Sequence, residues 1–316
     1  MELGHGRAER FTSKSTVSSR DIYDMDQSAI DAGEVRMQRL RLKRAVSLEG
    51  RTVWGRKCLL VLEPHEKDDH WRWGNAGDTP ITPELFGLRT SGRNVALIKD
   101  KCVLKEFEHV GFLHALGLRG VRVWLHGSTR PPYMCSQALW GEVFRSIEYD
   151  GCLQPWAPAQ SDWASSSGPV DRRITYEADS DALVLRAVVN YGTGATGSFE
   201  LEISTKGPLP AADIARAISA PTLARPSALG PLVWAAQKLG WRHAAKLAWM
   251  PEDPTEEFLT GLARHKVVDG SLVSFAAPLG AYLCGTVVFL RANHGLDLQF
   301  INKIAGTKIN SLSSVA

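Results

Sequence analysis

Arg264-His265-Lys266-Val267-Val268-Asp269 holds an imidazole and a carboxylate four residues apart. On a helix that spacing puts both on one face, one turn apart, where they can reach a common point. The pattern after Thr255 predicts a helix with this stretch in its middle. A helix with one histidine and one solvated aspartate has the same spacing, so these two residues are only half of a metal site. Glu108-His109, inside an apolar-periodic segment from Leu104 to Leu118, adds a second imidazole with a carboxylate beside it. Two histidines and one carboxylate leave a tetrahedral zinc one position for water, and a glutamate that is not a ligand can take that water's proton. The constellation suggests hydrolytic zinc chemistry, with His109, His265 and Asp269 as ligands and Glu108 as candidate base. Ferrous iron suits two histidines and a carboxylate about as well.

With Asn293-His294-Gly295 added, these motifs resemble in order and spacing those of the UDP-3-O-acyl-N-acetylglucosamine deacetylases, zinc amidases of lipid A biosynthesis. The resemblance runs from about Met37 to about Lys308 and includes Leu40-Arg41-Leu42-Lys43-Arg44, the Gly55 to Pro64 strand and Leu113 to Leu118. It implies a cytoplasmic N-deacetylase acting on an acylated sugar nucleotide. It also implies that Glu108 deprotonates the attacking water and His294 protonates the leaving amine. Thr222, in Ala220-Pro221-Thr222-Leu223, would help hold the oxyanion, and Lys266 would meet a diphosphate or carbonyl oxygen. Read without the resemblance, His294 is a structural or solvated histidine in a turn, Thr222 a turn residue, and Lys266 a lysine on an exposed helix face.

Three stretches depart from the family pattern. Its Gly-Val-Gly-Leu-His-Ser-Gly segment stands here as Glu49-Gly50-Arg51-Thr52-Val53-Trp54-Gly55, and its Met-Asp-Gly-Ser segment as Met134-Cys135-Ser136-Gln137. The aspartate that pairs with the family's catalytic histidine, one helical turn beyond the metal-binding aspartate, is here Val273. His294 is therefore expected to lack a carboxylate partner and to charge less readily, because a nearby anion is what raises an imidazole's pKa. The retained chemical centre points to an active enzyme. The changed periphery leaves open a paralogue acting on another N-acyl sugar or small amide, or a non-catalytic binding module on the same fold.

The elements that must position these residues read as α+β. After a polar tail at 1–36, residues 37–150 are expected to form a first domain, 151–171 a linker rich in Pro, Ala, Ser and Gly, and 172–316 a second domain. Leu40 to Leu62 predicts two strands turning near Glu49-Gly50-Arg51, and the charged run His65 to His70 a loop rather than a metal cluster. Helices are expected at Leu104 to Leu118, Gln137 to Ile147, Ala211 to Ile218, Leu229 to Leu239 and Leu296 to Ile304. Strands are expected at Val121 to Leu125, Arg173 to Tyr176, Leu183 to Tyr191 and Ser198 to Ser204. The resemblance implies two domains, each a β-sheet with two main helices. The helices of both would form a layer between the sheets, with the active site at the domain junction.

A net charge of +3 is too mild to argue for nucleic acid, and Arg39, Arg41 and Lys43 alternate with Leu40 and Leu42 as on an amphipathic strand. Five scattered cysteines without a Cys-x-x-Cys pair fit a reducing cytoplasm better than a disulfide framework. No apolar leader is visible at the N-terminus. The uncharged stretch Leu272 to Leu290 is broken by Pro278, Gly280 and Gly285, and reads as a helix end, a turn and a buried strand rather than a transmembrane helix. Peripheral membrane contact stays open for an enzyme of acylated substrates.

Overall fold

In a computed structural model the described residues are 37–313, apart from 53–55, 66–67, 76–87, 92–93, 100–101, 133–134, 160–162, 167–170, 191–193, 204–208, 219, 221, 225–234, 236–246 and 250–252. The expected tail at 1–36 and nearly all of the expected helix over Leu229 to Leu239 lie outside them, as does Val53.

The architecture is mixed α+β, built on several sheets and few helices. In the first half, β2 (Val46–Arg51), β3 (Lys57–Pro64), β8 (Val121–His126) and β4 (Trp71–Asn75) form a four-stranded sheet in the order β2-β3-β8-β4. A small sheet joins β5 (Leu88–Ser91), β6 (Asn94–Lys99) and β7 (Cys102–Lys105). In the second half, β10 (Trp163–Ser166), β11 (Arg173–Glu177), β17 (Gly285–Leu290), β12 (Leu183–Val189) and β13 (Gly197–Ile203) form a five-stranded sheet in that order. A further sheet takes β1 (Met37–Leu42) and β9 (Ile147–Trp156) together with β16 (Ala281–Leu283), in the order β1-β9-β16, and so joins strands from both halves of the sequence.

The helices are α1 (Phe107–Ala115), α2 (Cys135–Ser146), α3 (Ala211–Ile218), α4 (Glu256–Gly270) and α5 (His294–Ser313), with a 3-10 helix at Ser271–Ala276. A short parallel pair, β14 (Thr222–Ala224) and β15 (Leu247–Trp249), completes the described elements. Helix α4 begins where the sequence predicts, since the Thr255 hydroxyl accepts from the Phe258 N–H at 3.2 Å. Its apolar stripe Leu259, Leu262, Ala263 and Val267 is buried against β12 and β13. At Gly197 a Cβ would stand 2.2 Å from the backbone of Leu259 and Thr260, so only glycine lets β13 carry the helix this closely.

The helix expected from Leu104 starts later. Leu104 belongs to β7, paired with β6, and the chain turns at Glu106, whose φ of 59° is left-handed. Leu104 and Phe107 satisfy a helical spacing, yet each is buried from a different element, so the apolar period alone is ambiguous. A non-glycine residue in this conformation costs about 1–3 kcal/mol, and Glu106 there makes a partly buried ion pair with Arg130. The turn expected near Glu49-Gly50-Arg51 is not there, since β2 runs on through Arg51 and β3 begins at Lys57, with Thr52 Oγ1 accepting from the Arg56 N–H at 3.2 Å.

The Pro-rich stretch expected as a linker is partly strand. Residue 150 lies inside β9, and β10 occupies Trp163–Ser166. Pro155 stands opposite Tyr282 in the parallel pairing of β9 with β16. Within the loop between β3 and β4, Arg41 from β1 donates to the His65 and Asp68 carbonyls and pairs with Asp69 at 2.6 Å. This is the charged loop the sequence predicts. Leu272 to Leu290 contains the 3-10 helix, a turn, β16 and β17, and no helix among the described residues is long and apolar enough to cross a membrane.

One contact fixes α1 against the 3-10 helix that extends α4. His114 lies 2.9 Å through Nδ1 from Ser274 Oγ and stacks on Phe275 with ring centroids 3.9 Å apart. Burial, with the nearby Arg119 cation, pushes its pKa well below the ordinary value. The folded protein therefore keeps His114 neutral at a pH where the unfolded chain protonates it. The resulting stability is fully present above the unfolded value of about 6.5 and is lost as pH falls below it, by up to about 1.4 kcal/mol per pH unit. Urea melts of the parent and His114→Asn at pH 7.0, 6.0 and 5.5 should show a flatter acid limb in the variant. Coincident slopes would mean that the imidazole charges freely in the fold.

Candidate metal centre

Three elements deliver the histidines and carboxylates to one place. Helix α1 presents Glu108 and His109 in its first turn, α4 presents His265 and Asp269, and α5 opens on His294. His109 Nε2 lies 3.8 Å and His265 Nε2 3.5 Å from the same atom, Asp269 Oδ1, and the two rings are 5.3 Å apart in an edge-on arrangement. Ligands held about 2.0–2.2 Å from a tetrahedral zinc stand roughly 3.3–3.5 Å from one another, so these separations suit one ion with little adjustment. Asp269 Oδ1 is itself buried without a hydrogen-bond partner among the described residues, a costly arrangement that a cation would relieve. His109, His265 and Asp269 thus form a group that could hold a metal ion, as the sequence expects.

Electrostatics favour the ligand forms. Burial, reinforced by the neighbouring His265, lowers the His109 pKa to about 4, so its imidazole is neutral and free to donate a lone pair. Burial opposes the charge on Asp269, but His265, His294, Lys266 and His109 outweigh it and hold the carboxyl below its ordinary value.

Glu108 lies between the Val95 backbone and His294, close to Asp269 of the ligand cluster. Its Oε2 accepts the Val95 N–H of β6 at 3.0 Å, and Oε1 lies 3.9 Å from His294 Nε2. Burial is the main cause that raises its pKa, with the His294 charge acting the other way. His294 Nε2 is also 3.8 Å from Asp269 Oδ2, so Glu108, Asp269 and His294 form a second cluster that shares Asp269 with the first.

The expectation that His294 lacks a carboxylate partner is overturned. Val273 is fully buried in the 3-10 helix and apolar, as expected, but Asp297 supplies an anion 3.3 Å from His294 Nδ1. Burial works against the His294 charge, yet Asp269, Asp297 and Glu108 together raise its pKa above the ordinary value. The error came from the helix boundary. Asn293 caps α5 by accepting the Leu296 N–H at 2.9 Å, so His294 is the first helical residue and Asp297, three positions on, shares its face. Asn before an apolar run is an N-cap signal, and His294-x-x-Asp297 could have been found from it.

Lys266 is buried, not on an exposed face. Its Nζ lies 2.5 Å from Asp297 Oδ2 and 5.4 Å from the centre of the Phe289 ring. Thr222 opens β14, which lies beside α4. The side chains of Thr222 and Cys135 lie outside the described residues. The Val95 N–H, the Glu106–Arg130 pair and Asp297 are supporting groups that no sequence motif singled out. No family model matches the chain, and no curated protein matches it.

Proposed function

We propose that the chain is a metal-dependent amidohydrolase that removes an N-acetyl group from a UDP-3-O-acyl-N-acetylglucosamine-like substrate. The observation that carries this reading is the convergence of His109, His265 and Asp269 on one point, with Glu108 and His294 beside it and neither in that ligand group. On this reading the chain has two α+β domains whose helices meet between the sheets, and the site lies at their junction.

Zinc, or ferrous iron, held by His109, His265 and Asp269 would lower the pKa of a bound water to about 7 and polarise the scissile carbonyl. Glu108, fixed by the Val95 N–H, receives the proton as the water oxygen bonds to the carbonyl carbon. The carbon–nitrogen bond then breaks, and His294, held cationic by its carboxylate neighbours, gives its proton to the departing nitrogen. Acetate and a free amine result. Burial of the centre strengthens each of these interactions relative to water.

The test is acetate release by zinc-loaded protein from the acylated UDP-sugar and from simpler N-acetyl sugars. Release from the nucleotide substrate is the expected result. Release only from simpler sugars would transfer the reading to the paralogue, which the altered Glu49 to Gly55 and Met134 to Gln137 segments favour. No release from any of them would overturn the hydrolase.

A further inference from the structure

We propose that Asp297 is the positioning residue of this centre: one carboxylate on α5 ties Lys266 of α4 to His294 and holds the imidazole with Nδ1–H toward itself and Nε2 toward Glu108 and Asp269. The catalytic part of this proposal rests on the deacetylase reading; the structural part does not.

Asp297 has no solvent exposure, and a buried carboxylate persists only with partners. Its Oδ2 lies 2.5 Å from Lys266 Nζ and 3.3 Å from His294 Nδ1, so one oxygen serves both. His294 Nδ1 and Asp297 Oδ1 are both buried and have no well-aligned hydrogen-bond partner among the described residues. An unpaired buried donor or acceptor costs about 1–3 kcal/mol, and a small rotation of the Asp297 carboxylate would satisfy both atoms with one bond from Nδ1–H. Nδ1 thus keeps its proton both in the cationic ring and in the neutral ring left after proton donation, since a neutral ring bare at Nδ1 would set two lone pairs against each other. Nε2 is then the nitrogen left to face Glu108 at 3.9 Å and Asp269 at 3.8 Å.

The arrangement also gives Lys266 a function its neighbours define. Lys266 follows the ligand His265 in sequence, so its contact with Asp297 anchors the first turn of α5 to the metal-bearing turn of α4. Asp297 is in turn held by its own N–H, which donates to the Asn293 carbonyl at 2.9 Å. The charge of Lys266 is spent inside the protein on Asp297 rather than offered to a substrate phosphate.

The experiment combines nitrogen NMR of histidine-labelled, metal-free protein with kinetics of the zinc-loaded form. In the metal-free parent, His294 should show a slowly exchanging Nδ1–H, assigned by its loss in His294→Gln. In Asp297→Ala that proton should exchange rapidly, and the neutral ring should show the Nε2–H tautomer that the parent's neutral ring lacks. Asp297→Asn keeps the size and one acceptor but removes the anion beside Lys266, so its melting temperature should fall, while at low temperature it should still fold and keep its zinc. It should lose roughly 10–100-fold in kcat with KM within about twofold. Added formate should restore part of the kcat of Asp297→Ala. Unchanged His294 signals in Asp297→Ala, or a kcat loss in Asp297→Asn fully explained by lost zinc, would overturn the proposal. If the parent hydrolyses no N-acetyl sugar, the deacetylase reading fails, while the NMR comparison still decides whether Asp297 sets the tautomer.

Discussion

Glu108→Gln is expected to abolish deacetylation while leaving the bound metal in place. Glutamine keeps the shape and still accepts the Val95 N–H, which Oε2 of Glu108 now takes at 3.0 Å. It cannot receive a proton from water, so the general-base contribution, typically 10²–10⁴-fold in rate, is lost. Because Glu108 is outside the His109, His265 and Asp269 group, zinc per chain should match the parent. The side chain is also almost wholly buried at 1% exposure, and burial opposes its charge. Replacing it with a neutral amide should therefore leave the metal-free protein at least as stable near neutral pH. The combination of lost turnover, retained metal and retained stability separates a catalytic base from a structural carboxylate. Equal kcat in parent and variant would remove Glu108 from the chemistry.

Asp269→Ala is expected to lose the metal itself. Removing a distant supporting group from a metal site typically costs 10–100-fold in affinity, and removing a direct ligand should cost at least roughly 100-fold. Asp269 Oδ1 is the atom that both imidazoles face, at 3.5 and 3.8 Å, so without it only two imidazole ligands remain and the ligand group has no anion to offset the ion's charge. Thermal melts offer a second readout. Zinc at 100 times its Kd should stabilise the parent by about 2.7 kcal/mol, which for a chain of this size is roughly 4 °C. The variant should show no zinc-dependent shift, and elemental analysis should find zinc only in the parent. A parent that binds no zinc, even in excess, would end the hydrolase reading and leave a binding module on the same fold.

Local chemistry was legible where one element carries it. His265 and Asp269 share a helix face because they are four residues apart on a helix whose start Thr255 marks, and the side-chain cap at Phe258 is in place. Leu40 and Leu42 face the core while Arg39 and Arg41 reach Asp69 and Asp150, so strand alternation was readable too. Periodicity failed where two elements meet at buried residues. Leu104 and Phe107 look helical together, but a left-handed Glu106 separates strand from helix, and no apolar count reports a backbone turn. Composition was also silent on local structure in the Pro-rich stretch, where β9 pairs with β16 and β10 with β11.

What the sequence determined by itself is the set of reactive residue types and the spacing within α4, because i,i+4 geometry is a property of any helix. Tertiary structure alone decided which distant residues complete the set. Close contact through Gly197 seats α4 on β13, and the His114–Ser274 contact holds α1 beside it, so His109 arrives next to His265 across 156 positions of chain. It also decided that the carboxylate absent at Val273 is supplied by Asp297, because a buried imidazole and a buried ammonium need a shared anion and packing brings α5 within reach. Charge balance inside a core depends on what is adjacent in space, and adjacency between α4 and α5 is set by how the sheets and helices pack.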